Sequence, residues 1–264
     1  ILAGDGVSTL LDQKQLNASM LTMNFSGFRI EDAGIGLSLR YSIFSSVSDL
    51  TIMRSTIRGA DLGVDGVIGP IWNTFTRVYI RGDGTALRLG GKDWNNANKF
   101  DTCLFHGAPA VEIAITGGYG ALKNVFHNTE LAGLGAGLVL NGTTRGTSLR
   151  DCYLETRGPA VVINGVTTDM VIDHAIFGTT SNDVPGFTPS FIEHQSGNTS
   201  LTVHGGWVTT GSEPRQEGLR FVSSLAPASL NLRYMMLPMI SVPAAGWALH
   251  GAGVTGAQPQ MVSV

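Results

Sequence analysis

NKFDTCLFHG at residues 98–107, LKNVFHNTELAG at 122–133 and SLRDCYLETRGPAVVING at 148–165 carry one recurring pattern. Aligned on Phe100, Phe126 and Leu149, they repeat an apolar residue five positions on, at Phe105, Leu131 and Leu154. Three positions on stand Cys103, Thr129 and Cys152. The pattern extends in both directions. Its anchor column reads Val47, Phe75, Phe100, Phe126, Leu149 and Val171, with Leu201 a looser match. The column five later reads Ile52, Ile80, Phe105, Leu131, Leu154 and Ile176, and the one between reads Leu50, Val78, Cys103, Thr129, Cys152 and His174. Glycine often closes the unit, at Gly82, Gly107, Gly133 and Gly178.

A second set of columns lies elsewhere in each unit. Leu37, Leu62, Leu87, Val111, Leu138, Val161, Phe191, Leu219 and Trp247 follow one another at steps of 25, 25, 24, 27, 23, 30, 28 and 28 residues. Two positions on are Leu39, Val64, Leu89, Ile113, Leu140, Ile163, Glu193, Phe221 and Leu249. A spacing of two is the alternation of a β-strand. Glu193 alone breaks the apolar run, through a buried functional carboxylate or a register one residue out. A fixed period of this length marks a repeat architecture. It is too short for a propeller blade, and the leucine-rich-repeat frame with its fixed asparagine is absent. The expected fold is an all-β, right-handed parallel β-helix of about nine coils, in which equivalent positions stack about 4.8 Å apart. Cys103 and Cys152 then share a column with Thr129 between them, too far apart for a disulfide. They read as small apolar core residues.

Composition agrees. Of 264 residues 35 are Gly, about 13% against a usual ~7%, and charged residues are 14% against a usual ~25%. Many turns and strands fit this better than a helical bundle does. With a net charge of −3 and a pI near 6.1, the chain offers no positive field for nucleic acid or an anionic membrane. No apolar run reaches the ~20 residues of a membrane span. The chain opens at Ile1 without an initiating Met or a signal-peptide pattern, which points to a processed form or a fragment.

The organisation expected is a lead-in that caps the stack at 1–23, a β-helix over 24–250 and a C-terminal tail at 251–264. Insertions lengthen two coils, at 178–190 and 210–218, and a shorter loop at 90–98 carries Trp94. In solenoids such insertions gather on one, often binding, face. From Tyr234 to Val264 there is no Asp, Glu, Lys or Arg, which suits contact with a partner subunit.

The three quoted segments, together with the opening ILAGDGVSTLL at 1–11, resemble coils of bacteriophage tailspikes with the pectate-lyase-like fold. The resemblance covers about residues 1 to 250 and is one of rhythm, without a catalytic signature to carry over. It implies a homotrimer on the virion tail, outside the cell, working with other tail proteins and binding capsule or O-antigen polysaccharide. Many such proteins cleave it by hydrolysis or β-elimination. The alternatives are a non-enzymatic receptor-binding or structural fibre module on the same fold, and a bacterial lyase or epimerase acting as a monomer.

Glycoside hydrolysis needs two carboxyls, and a lyase needs a base plus a cation. Stacked columns nominate the candidates. Arg77, Thr102, Asn128, Asp151 and Asp173 form one outward column, in which Asp151 and Asp173 on adjacent coils would make an acid/base pair; the plain alternative is turn residues bonding their own backbone. Tyr79, Leu104, Glu130, Tyr153 and Ala175 form a second, in which rings flanking a carboxylate suit a sugar, or a subunit surface. Glu155 follows in the column of Arg81, His106 and Ala132. Trp94, Asp101, His127 and Arg150 are the remaining candidates for sugar contact. The six histidines show no metal-ligand spacing, so neither a metal nor another cofactor is expected, and His174 and His204 read as interior residues.

Overall fold

The computed structural model describes residues 1–6, 8–13, 22–40, 42–63, 69–179, 190–210, 220–224 and 228–233. The chain winds into a parallel β-solenoid with three sheets of nine, nine and eleven strands. One repeating unit runs from a strand in the third sheet to one in the first and then one in the second, as in Lys99–Asp101, Leu104–His106 and Val111–Ile115. About six turns, over 24–164, have all three strands described without a break inside the unit. Every pairing is with the turn before or after, in parallel register: Phe75↔Phe100↔Phe126↔Leu149 in the third sheet and Ile80↔Phe105↔Leu131↔Leu154 in the first. The short strands Leu2–Ala3 and Thr9–Gln13 stand at the ends of the first and second sheets. No helix among the described residues is long and apolar enough to cross a membrane.

Alternation decides what the solenoid buries. Phe75, Phe100 and Phe126 stack with centroids 4.8 and 4.7 Å apart, and Phe105 meets Phe100 edge-on at 5.9 Å. Leu131, Leu140, Leu154, Ile163 and Phe177 complete a continuous, fully buried interior. Equivalent side chains recur at each turn, so the core is filled by like stacking on like.

A single left-handed residue turns the chain from the third sheet into the first. Asp49, Arg77, Thr102, Asn128, Asp151 and His174 have φ of 53, 53, 55, 45, 51 and 51°. Each donates its backbone N–H to the carbonyl one turn on, from Asp49 to Thr76 at 3.1 Å through to His174 to His204 at 2.8 Å. Asp, Asn and His are enriched among the residues that tolerate this conformation, and at the ends of the column Gly27 and Gly205 adopt it freely.

Asparagines close the other corner from inside. Asn73, Asn98 and Asn124 are buried two positions before the stacked phenylalanines. Asn98 Oδ1 accepts both the backbone N–H of Asn73 at 3.1 Å and its side-chain N–H at 3.0 Å. Asn124 Oδ1 accepts the same pair from Asn98, at 3.0 and 3.1 Å. Asn98 Nδ2 also reaches the Pro70 carbonyl and Asn95 Oδ1, so a corner with buried backbone is satisfied by side chains.

The register departs from simple alternation at several places, among them the following. Leu62 aligns with Leu39 and Leu89, whereas Ala60 occupies the Leu37–Leu87 column; the strand turns both inward, and size alone misleads. Ile172, not Val171, pairs with Leu149. Both are β-branched, and buried Met170 settles which of them faces in. Consequently Asp173 stands beside Arg150 instead of Asp151, and Ile176, not Ala175, beside Tyr153. Finally Ile192 takes the place expected of Phe191, so Glu193 pairs with Val162 and His194 becomes the residue in the core column. His194 is buried, with Nε2 2.9 Å from the Gly197 carbonyl oxygen, while His174 and His204, expected inside, lie at the surface. Leu219, Trp247 and the uncharged tail from 234 lie outside the described residues, as does most of both long insertions.

Candidate functional site

Two outward ladders run along the boundary between the third and first sheets. One is formed by the last residue of each third-sheet strand: Thr76, Asp101, His127, Arg150, Asp173 and His204 are successive Cα partners. The other is the left-handed column itself. Strand ends and a forced turn thus place polar and charged side chains on a common edge at every turn.

Two Asp–His groups result. His127 Nδ1 lies 2.5 Å from Asp101 Oδ1, and its Nε2 lies 3.6 Å from Asp151 Oδ2. One imidazole therefore stands between two carboxylates on opposite sides of its ring. In the second group the arrangement is inverted. Asp173 Oδ1 stands between His174 Nδ1 at 2.8 Å and His204 Nδ1 at 3.0 Å. The hydrogen bond from His204, and the charge of both imidazoles, hold the Asp173 carboxyl below the usual carboxylate range. Arg150 separates the two groups in the ladder.

Beside this edge an open groove of about 530 Å³ crosses four turns. Arg77, Asn128 and Asp151 line one side, Tyr79, Glu130 and Tyr153 the other, and Val78, Cys103 and Thr129 lie between. The Arg77 guanidinium is held in a bidentate pair with Asp49 at 2.7 and 2.9 Å. Burial, and then the neighbouring Glu155, raise Glu130 above the ordinary range, so its proton is held to higher pH. Burial raises Tyr153 as well, followed by the charge of Glu155 and a hydrogen bond with it. Glu130 and Tyr153 thus both feel the charge of Glu155, and a carboxyl raised above its ordinary range beside a second carboxyl suits acid/base work.

The groove brings together Tyr79, Glu130, Asp151 and Tyr153, with Asp101, His127 and Glu155 at its margins. Asp151 and Asp173, read from the sequence as one column, are not Cα partners: Asp173 stands beside Arg150, and the Asp151 N–H donates to the Asp173 carbonyl at 2.9 Å. Trp94 is also elsewhere, on the link after the second-sheet strand Thr85–Gly91, edge-on to Tyr119 at 5.5 Å. A second cleft of about 580 Å³, with Arg81, His106 and Arg157 among its lining, opens at the far edge of the first sheet. Burial, and then Arg81, lower His106 below its ordinary range.

No family model and no solved structure matches the chain. Among curated proteins it is similar to one named "Mu-like prophage FluMu defective tail fiber protein" from Haemophilus influenzae. The two are 32% identical over 231 residues, which is 87% of this chain and 36% of that protein. The chain thus spans about a third of the length of the relative it matches.

Proposed function

We propose that this homologue of a Mu-like prophage tail fiber protein forms part of a phage tail fibre, binds bacterial surface polysaccharide along the groove and hydrolyses it. The observation that carries the reading is the composition of the groove: Tyr79 and Tyr153 lie in one column with the Glu130 carboxyl, which burial raises above its ordinary range, and Asp151 stands opposite. Tyrosine rings offer apolar faces to sugar C–H groups, and their hydroxyls stay hydrogen-bonding at the rim. Glu130 gives its proton to the glycosidic oxygen as that bond breaks. Glu155 or Asp151 takes a proton from the attacking water as the new bond forms.

A second reading rests on the Asp101–His127–Arg150 ladder. Asp101 orients the His127 ring, which removes the proton on the carbon next to a uronic carboxylate; Arg150 offsets the charge that develops, and as the C=C bond forms the glycosidic C–O bond on the next carbon breaks and its oxygen takes up a proton from water. The same proposal takes the solenoid as right-handed and the fibre as a homotrimer at the virion tail among other tail proteins, with neither nucleic acid nor membrane as partner. The monomer mass is 27.8 kDa, so light scattering should read about three times that.

The test follows reducing ends and unsaturated-uronate absorbance together on purified host capsule or lipopolysaccharide. New ends without absorbance support hydrolysis, and ends with absorbance move the assignment to His127 and Arg150. Polysaccharide retained without either signal overturns cleavage and leaves recognition alone.

A further inference from the structure

The Asp173 group has a geometry that sugar binding does not use. We propose that Asp173, His174 and His204 form a binding site for one divalent transition-metal ion of the zinc class. One donor atom from each of the three residues lies within 4.8 Å of the others. Both imidazoles turn Nδ1 toward the same carboxylate oxygen, at 2.8 and 3.0 Å. Their rings are perpendicular, at 88° and 5.4 Å between centroids, so neither covers the other's donor edge. In the Asp101–His127–Asp151 group, by contrast, the carboxylates face opposite nitrogens of one ring and cannot converge on one ion.

The scaffold fixes the three donors. Asp173 and His204 are Cα partners on adjacent strands of the third sheet. His174 is set by its left-handed turn, φ 51°, and by its N–H bond to the His204 carbonyl at 2.8 Å. Its ring rests on Gly205, where a Cβ would come within 2.8 Å of His174 Cδ2. Earlier members of that column, from Asp49 to Asp151, carry side chains; the one under His174 does not.

Two imidazoles and one carboxylate are the donor set of borderline ions such as Zn²⁺ and Co²⁺, and a poor set for Ca²⁺ or Mg²⁺, which take oxygen ligands. The side chains remain 34, 58 and 41% exposed, which lets an ion enter and leaves coordination positions for water. Bound there, the ion would tie residue 173 to residue 204 across one full turn of the solenoid.

The experiment is calorimetric titration of the chelator-treated full chain with ZnCl₂, with Co²⁺ absorption as an independent readout. One ion per chain is expected, with a rise in Tm and cobalt bands of a nitrogen/oxygen site. His204→Ala and Asp173→Asn should abolish binding while circular dichroism stays unchanged, and His106→Ala should leave it intact. Gly205→Ala, which displaces the His174 ring without removing a donor, should weaken it about 10–100-fold. No stoichiometric binding by the folded chain overturns the proposal. So does binding that survives His174→Gln and His204→Ala together, which would mark surface adsorption only.

Discussion

Asn98 accepts on one side-chain oxygen both the backbone N–H and the amide N–H of Asn73, the equivalent residue one turn before it. It donates in turn to Asn124, Pro70 and Asn95, and all of this is buried. Asn98→Ala removes the partner of the buried Asn73 backbone N–H and of Asn95 Oδ1, and one of the two bonds to Asn124 Oδ1. A loss of about 2–4 kcal/mol is expected in denaturant unfolding, and Asn98→Asp should recover part of it. Asn124→Ala combined with Asn98→Ala should cost less than the separate losses added, because the two share bonds.

Burial pushes the Cys103 thiol up to about 11 and the Cys152 thiol to about 12, and each lies against backbone carbonyls. Thr129 intervenes, its Oγ accepting the Cys103 N–H at 3.3 Å. Both cysteines should therefore resist a thiol reagent at pH 8 in the native chain, react fully after denaturation and form no mutual disulfide under oxidation. Mass spectrometry of labelled protein counts the modified sites.

Glu130 gives a pH dependence of stability. Burial makes its folded carboxyl a weaker acid than the unfolded one. Below the unfolded value both states are protonated and nothing is lost. As pH rises through the window between the two values the unfolded state ionises first, so the folded state loses stability, fully so above the folded value. Glu130→Gln should thus raise Tm at neutral pH, and the gain should vanish near pH 4 and below.

Cleavage, where present, should fall about 10²–10⁴-fold in Glu130→Gln with binding retained. Tyr79→Ala and Tyr153→Ala should instead weaken binding, about tenfold each, or ~1.4 kcal/mol. Asp173→Asn should leave cleavage untouched, since its carboxylate faces imidazoles outside the groove. Polysaccharide binding and reducing-end release, assayed on the same variants, separate these effects.

The solenoid was legible because like residues stack on like: Phe100 over Phe75 and Phe126 produces the period directly. The asparagine corner carried an equally regular signal, Asn-x-Phe at Asn73, Asn98 and Asn124, which passes unnoticed when only apolar columns are aligned. The Tyr79–Glu130–Tyr153 side of the groove followed from columns whose register is simple. What alternation could not give was a choice between adjacent apolar residues. Val171 and Ile172 differ by one position, and that position decides whether Asp173 meets Asp151 or the imidazole of His204. The convergence of Asp173, His174 and His204 has no local motif, because 31 residues separate Asp173 from His204.

The inter-turn hydrogen bonds of all three sheets share one direction, along the stack, and the Asn73–Asn98–Asn124 amides run the same way. Tension applied along that direction is therefore divided among three sides of the molecule at once. Two turns separate only when every side yields together, whereas a force that lifts one strand sideways breaks its bonds in succession. A rod of this construction is strong in axial pull and weak in peeling, and loads on it are best borne end to end.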